Sequence, residues 1–138
     1  MKILLFGLPG AGKTTLAKKL EEHYKCPHWN ADIIREHAND WDFSPEGRAR
    51  QLGRMITLAD ESLTKFSHVI CDFVAPYEKG REEFNADVLI WMDTIKESRY
   101  PDTDKIFETP TKYDFRVTDF NYVVDSIIEF IDSKHKNA

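Results

Sequence analysis

What this 138-residue chain lacks narrows its class. It has only two cysteines, Cys26 and Cys71, too few for a disulfide framework and without metal-ligand spacing, so a reducing, cytoplasmic compartment is expected. No apolar run approaches the ~18 residues of a bilayer-spanning helix, so no membrane association is expected. A signal peptide is not expected either, because the first apolar stretch runs straight into a glycine-rich turn. The basic excess of a general nucleic-acid binder is missing: 24 acidic residues outnumber 19 basic ones, for a net charge of −5. That balance still allows a local basic pocket for a small anion. No repeat, low-complexity tract or Gly/Ser linker divides the chain, and its length suits one domain over residues 1–138. The hydrophobic share of 41% and charged share of 31% are those of a globular protein, and homodimerisation stays open.

What is present is concentrated in Gly7-Leu8-Pro9-Gly10-Ala11-Gly12-Lys13-Thr14, which fits G-x-x-x-x-G-K-[ST]. An apolar run precedes it and a helical pattern beginning with Thr15 follows, the strand–turn–helix context that this phosphate-binding loop requires. The glycines let the backbone close round an anion with successive N–H groups inward, and the helix adds its unpaired first amides. Gly7, Pro9, Gly10, Ala11, Gly12, Lys13, Thr14 and Thr15 are therefore expected to hold ATP. Lys13 would reach the β- and γ-phosphates and the Thr14 hydroxyl would ligate Mg²⁺.

Around this loop, hydrophobic periodicity alternates strand with helix. Residues 2–6 read as a strand and 12–24 as a helix with Leu16, Ala17 and Leu20 inward. Residues 28–30 read as a short strand, 32–37 as a helical turn and 38–43 as a polar connection. The longest helix begins with Ser44, a good N-cap, and Pro45, a good first helical residue. Its apolar stripe is Leu52, Met55, Ile56, Ala59, Leu63 and Phe66. Extended backwards, that stripe turns Arg48 inward and leaves Arg50 and Arg54 on the other side. An inward arginine at a helix start meets an anion or a buried carboxylate.

Residues 68–73 and 87–92 read as apolar strands of the buried parallel type, 76–85 as a helix, 115–118 as a last strand and 122–133 as a final helix. Residues 93–110 show no firm period, so a long functional or disordered connection is expected there, with a mobile lid at about 94–112. The fold class is α/β: a P-loop NTPase/kinase fold with a doubly wound parallel sheet of about five strands.

In such a sheet, ligands lie beyond the carboxyl ends of the strands. Those ends carry the P-loop, Asn30-Ala31-Asp32, Asp72 to Ala75, Asp93-Thr94 and Thr118-Asp119. Phosphoryl transfer needs one carboxylate to serve Mg²⁺ and one to take the acceptor's proton. Asp72, ending an apolar strand, suits the metal; Asp32, opening a helix opposite the P-loop, suits the base; the assignment between them stays open. Asp93 is a third acid, and each of the three also reads as a helix cap or solvated loop carboxylate. Arg35 lies one turn after Asp32. Arg99, in the lid, would close over the transferring phosphate and exclude water, or would be an ordinary solvated arginine. The tryptophans read as core, with Trp41 in polar surroundings. The five histidines show no ligand spacing and receive no role.

Taken together, these residues resemble the adenylylsulfate kinases, P-loop enzymes that phosphorylate the 3′-hydroxyl of adenylyl sulfate. Gly7 to Thr15 is close to that family's P-loop, and Asn30-Ala31-Asp32-Ile33-Ile34-Arg35 is similar to its Asp-Gly-Asp-x-x-Arg segment. Phe43-Ser44-Pro45-Glu46-Gly47-Arg48 resembles Phe-Ser-x-Glu-Asp-Arg, and Val74-Ala75-Pro76-Tyr77 with Arg81 resembles Ile-Ser-Pro-Tyr and its following arginine. The resemblance implies Asp32 near the acceptor hydroxyl, with Arg35, Phe43, Arg48, Gln51, Val74 and Ala75 lining the acceptor pocket.

The chain also departs from the pattern. Gln51 replaces an asparagine, Gly53 replaces one of two arginines, and Asp72 stands where a small residue is usual. The lid is short and reduced to Arg99-Tyr100-Pro101-Asp102-Thr103. The reading is an ATP- and Mg²⁺-dependent kinase of a small anionic acceptor, adenylyl sulfate foremost. A polynucleotide 5′-hydroxyl or a sugar is the alternative acceptor, and a nucleotide-binding module without chemistry is the alternative class.

Overall fold

The computed structural model describes residues 1–136, so the last two residues of the expected 1–138 domain lie outside it. Strand β1 (Lys2–Phe6) leads to helix α1 (Lys13–Tyr24), and β2 (His28–Asn30) to α2 (Ala31–Ala38) and α3 (Pro45–Ser62). Then β3 (Val69–Asp72) precedes α4 (Glu78–Phe84), β4 (Val88–Met92) precedes α5 (Pro101–Ile106), and β5 (Phe115–Val117) precedes α6 (Val124–Lys136). The five strands form one sheet in the order β2-β3-β1-β4-β5, parallel at every pairing. The crossover from β1 runs to one side of the sheet and that from β4 to the other, so a crevice opens at the carboxyl ends beside β1. The P-loop leaves β1 at that point.

Strand periodicity explains why β1 is continuously apolar from Ile3 to Phe6. Successive side chains alternate between faces. Ile3 and Leu5 join a core with Leu16, Leu20, Ile127 and Ile131 of α1 and α6. Leu4 and Phe6 join the opposite core with Met55 and Ala59 of α3 and Phe84 of α4. Both faces are covered, so both need apolar residues. Fully buried side chains such as Leu4 and Phe6 each contribute about 1.5–3 kcal/mol.

Two expectations are corrected. Helix α3 ends at Ser62; Leu63 just beyond it still packs on the core, but Phe66 is exposed, because the turn after the helix carries it off the buried face. The stretch without a period contains α5, whose six residues are too few to display one. Among the described residues, no helix is long and apolar enough to cross a membrane.

Gly53 lies on the exposed side of α3, and a Cβ there would meet nothing within 4 Å. Gly53→Ala should stabilise the fold by about 0.5–1 kcal/mol, since alanine has less backbone freedom to lose. Thermal denaturation followed by circular dichroism would show the midpoint rising by a few degrees; a fall would contradict regular helix at this position.

Candidate active site

The P-loop conformation depends on its glycines. Gly7 (φ 152°) would drive a Cβ to 2.5 Å from the carbonyl oxygen of Met92, and Gly12 (φ 92°) occupies the left-handed region at the start of α1. No side chain caps α1, which leaves its first amides directed at the loop. Thr94, at the end of β4, braces the loop by donating from Oγ1 to Ala11 O at 2.8 Å. Lys13 is buried, and its Nζ donates to the carbonyls of Gly7 and Leu8 at 2.9 Å each.

Burial pushes the Lys13 ammonium down to about 8, with the charges of Asp72 and Asp32 partly opposing the shift. The cation is thus present below pH 8 and lost as pH rises through 8, whereas an ordinary lysine keeps its charge to about 10.4. An anion held by Lys13 should therefore bind progressively more weakly above pH 8, by a factor that approaches about tenfold per pH unit. Calorimetric titration with ATP between pH 7 and 9.5 would check this; a flat profile would place Lys13 outside the contact.

Asp72 closes β3 and is 2% exposed. Its Oδ1 accepts from Thr14 Oγ1 at 3.2 Å and from Asn30 Nδ2 at 2.9 Å, and Asn30 Nδ2 also donates to Thr14 Oγ1 at 3.1 Å. The ring Nε2 of His28 contacts the other oxygen, Oδ2. Thr14 and Asp72, both expected at a metal position, are therefore brought together. Asn30 is placed by sequence reasoning at a ligand-side strand end but given no role of its own, and His28 is given none. The signal for Asn30 is strand register, which sets Asn30 directly beside Asp72, and register is invisible in the linear chain. Asp32 is exposed in the first turn of α2 and lines the cavity. Asp93 does not line it: its carboxylate is taken by Arg116, with Nε at 3.0 Å, and by Lys96 at 3.6 Å.

One cavity of about 1400 Å³ joins the P-loop to the wall facing it. Arg35 is 4% exposed and donates to the backbone oxygens of Asp40 at 2.9 Å and Asp42 at 3.1 Å. Arg48 is half-buried, with Nε donating to Phe43 O at 3.0 Å and a second nitrogen 3.4 Å from Thr103 Oγ1. The two guanidinium carbons lie 4.3 and 5.3 Å from the centre of the Phe43 ring. Among the described residues, neither arginine has a carboxylate partner, whereas Arg50 and Arg54 both pair with Asp40. The helical arithmetic that turned Arg48 away from Arg50 and Arg54 holds, and no buried carboxylate answers it. Desolvation lowers the pKa of both Arg35 and Arg48, the cost of burying a cation without an ion pair, and for Arg35 the nearby charge of Asp40 offsets it only in part.

The remaining expected wall residues differ in how free they are. Gln51 lines the cavity, but its amide is engaged at both ends, donating to Ala31 O at 2.9 Å and accepting from Arg54 at 2.9 Å. Val74 and Ala75 line it from the turn after β3, where Ala75 holds a left-handed φ of 46°. That turn is pinned by Arg81, buried between the rings of Phe6 and Phe107, which donates to Ala75 O at 2.8 Å and Glu108 O at 2.8 Å. Arg99 is exposed on the cavity rim beside Tyr100, 5.6 Å from that ring. Pro9, Gly10, Gly12, Lys13, Thr14 and Thr15 form the opposite side of the same cavity, and Ala11 is buried beneath it.

A parallel sheet with a phosphate loop at its switch point, facing a cationic wall across one cavity, defines the P-loop kinase fold. Within that class the chain belongs to a particular family: residues 1–95 match the family described as adenylylsulphate kinase. It is 33% identical over 82 residues to the adenylyl-sulfate kinase of Halothermothrix orenii, covering 55% of this chain and 44% of that one. To the probable adenylyl-sulfate kinase of Aeropyrum pernix it is 35% identical over 85 residues, covering 57% and 46%. The chain thus matches less than half the length of these relatives. The fold is similar to that of the Mycobacterium tuberculosis APS kinase solved with AMPPNP and APS, with a TM-score of 0.70 at 18% identity, covering 98% of this chain and 96% of that one.

Proposed function

We propose that this chain transfers the γ-phosphate of ATP to a hydroxyl of a small anionic acceptor, with adenylyl sulfate the acceptor its family favours. The observation that carries the reading is a pair of arginines without a carboxylate ion pair, the buried Arg35 and the half-buried Arg48, facing the P-loop across one cavity. An anion seated there would supply the direct ion pair that neither arginine has within the described residues. The ligands in the fold relative's complex, AMPPNP and APS, are a nucleotide and an anionic nucleotide acceptor of this kind.

In this reading the P-loop amides and Lys13 hold the phosphates and stabilise the charge that develops on them. Asp32, open to the cavity on the acceptor side, accepts the hydroxyl proton. Asp72 and Thr14 present hard oxygens together, which suits Mg²⁺. Bound there, the ion would neutralise phosphate charge. Among the described residues no cluster of three or more His, Cys, Asp or Glu could hold a metal alone. That fits an ion bound by a few protein oxygens together with phosphate. Arg99 and α5 form the rim segment that would cover the site and exclude water.

The test is a coupled ADP-release assay with ATP and a panel of adenylyl sulfate, other nucleotides, sugars and an oligonucleotide. Acceptor-stimulated turnover with adenylyl sulfate is expected. Stimulation by a sugar or an oligonucleotide end alone would reassign the acceptor. Tight nucleotide binding without transfer to any member would make the chain a nucleotide-binding module.

A further inference from the structure

One histidine is built into the site with no part in the reaction described. His28, on β2, has a side chain only 7% exposed, and its two ring nitrogens are held by different elements. Nε2 contacts Asp72 Oδ2 on β3, and Nδ1 lies 3.5 Å from Glu21 Oε1 on α1, the helix that also carries Thr14. The consequence concerns Asp72. A carboxylate this deeply buried must have both oxygens satisfied. Thr14 and Asn30 converge on Oδ1, and among the described residues His28 alone is hydrogen-bonded to Oδ2. Without a donor on Oδ2, the carboxylate could rotate to share the Asn30 amide between its oxygens, drawing Oδ1 away from the Thr14 hydroxyl.

We propose that His28 is a positioning residue: its Nε2–H, donating to one oxygen of Asp72, sets the other oxygen at the Thr14 hydroxyl, where the divalent cation accompanying the nucleotide would be held. This rests on the reading of Thr14 and Asp72 as the cation side of the site. Groups that orient a cation-binding carboxylate from behind change metal affinity by about 10–100-fold when removed.

The experiment measures Mn²⁺ binding to the protein carrying a non-hydrolysable ATP analogue, by electron paramagnetic resonance, alongside analogue affinity in the presence of a chelator. His28→Leu removes the donor. His28→Asn keeps a polar group whose amide matches Nδ1 and falls short of Asp72, while His28→Gln carries its amide at the reach of Nε2. Mn²⁺ affinity should fall about tenfold or more in His28→Leu and His28→Asn and by less than about threefold in His28→Gln. Metal-free analogue affinity should not change in any of them. Nitrogen-detected NMR of the wild-type imidazole should find a proton on Nε2. Unchanged Mn²⁺ affinity in His28→Asn, or an unprotonated Nε2, would overturn the proposal. If the wild-type nucleotide complex bound no Mn²⁺, the cation-site reading would fail first, and this role with it; loss confined to the His28 variants separates the two. The His28→Asn and His28→Gln pair keeps the comparison decisive even if His28→Leu does not fold.

Discussion

Lys13→Ala is expected to lower phosphate transfer by about two to three orders of magnitude, the usual effect of deleting one preorganised charge from a transfer site. The fold should survive. Lys13 is desolvated, and the two carbonyls it touches lie in a loop whose shape is set by Gly7 and Gly12. Removing a buried ammonium whose pKa has already been pushed down to about 8 relieves a desolvation cost rather than breaking a stabilising ion pair. The outcome to look for is a large fall in kcat and in ATP affinity with little change in thermal midpoint. A variant that retained its turnover would exclude the P-loop lysine from the chemistry, and a variant that unfolded would show the lysine to be structural.

Arg48→Ala carries the second large effect, and it should be selective. A charge-assisted hydrogen bond from a partly buried arginine to an anion contributes about 1.5–3 kcal/mol, so KM for the acceptor should rise about 10–100-fold. KM for ATP should stay unchanged, because Arg48 stands on the wall opposite the P-loop. Arg48→Lys should recover only part of the loss, since an ammonium keeps the charge but not the planar fork that reaches Phe43 O and the ligand together. Arg50→Ala is the matched control: it lies on the same helix but is exposed and committed to Asp40 and Asp42, and it should leave both KM values within about twofold. Equal loss of ATP and acceptor affinity in Arg48→Ala would make Arg48 a support for the cavity as a whole rather than a ligand group.

These two residues were visible in the sequence for different reasons. Lys13 belongs to a motif in which every residue acts through its own backbone or its immediate neighbours, so spacing alone is informative. Arg48 was found by extending the stripe of Leu52, Met55 and Ala59 backwards, and helical geometry is equally local. The same stripe carried forward misplaced Phe66, because nothing in the spacing records where the helix stops. Residues 93–110 hid α5 for a related reason, being too short a helix to repeat itself.

The partners of each charge were not legible. Asp40 could have paired with any of four arginines, and only the packing of the α2–α3 loop gives it to Arg50 and Arg54 and leaves Arg35 and Arg48 without it. Asp93 looked like a third acid until Arg116, 23 residues away, was found across the β4–β5 pairing.

By itself, the amino-acid sequence determined that a phosphate loop joins a buried strand to a helix, that strands and helices alternate into a parallel sheet, and that one arginine of the longest helix faces inward. Each of these follows from φ preferences and short-range periodicity. The tertiary structure alone decided that Thr14, His28, Asn30 and Asp72 meet. They come from α1, β2 and β3, and β2 lies beside β3, away from β1, which it follows in the chain. Which side chains share a site is set by the register between strands far apart in sequence, a property carried by no single segment.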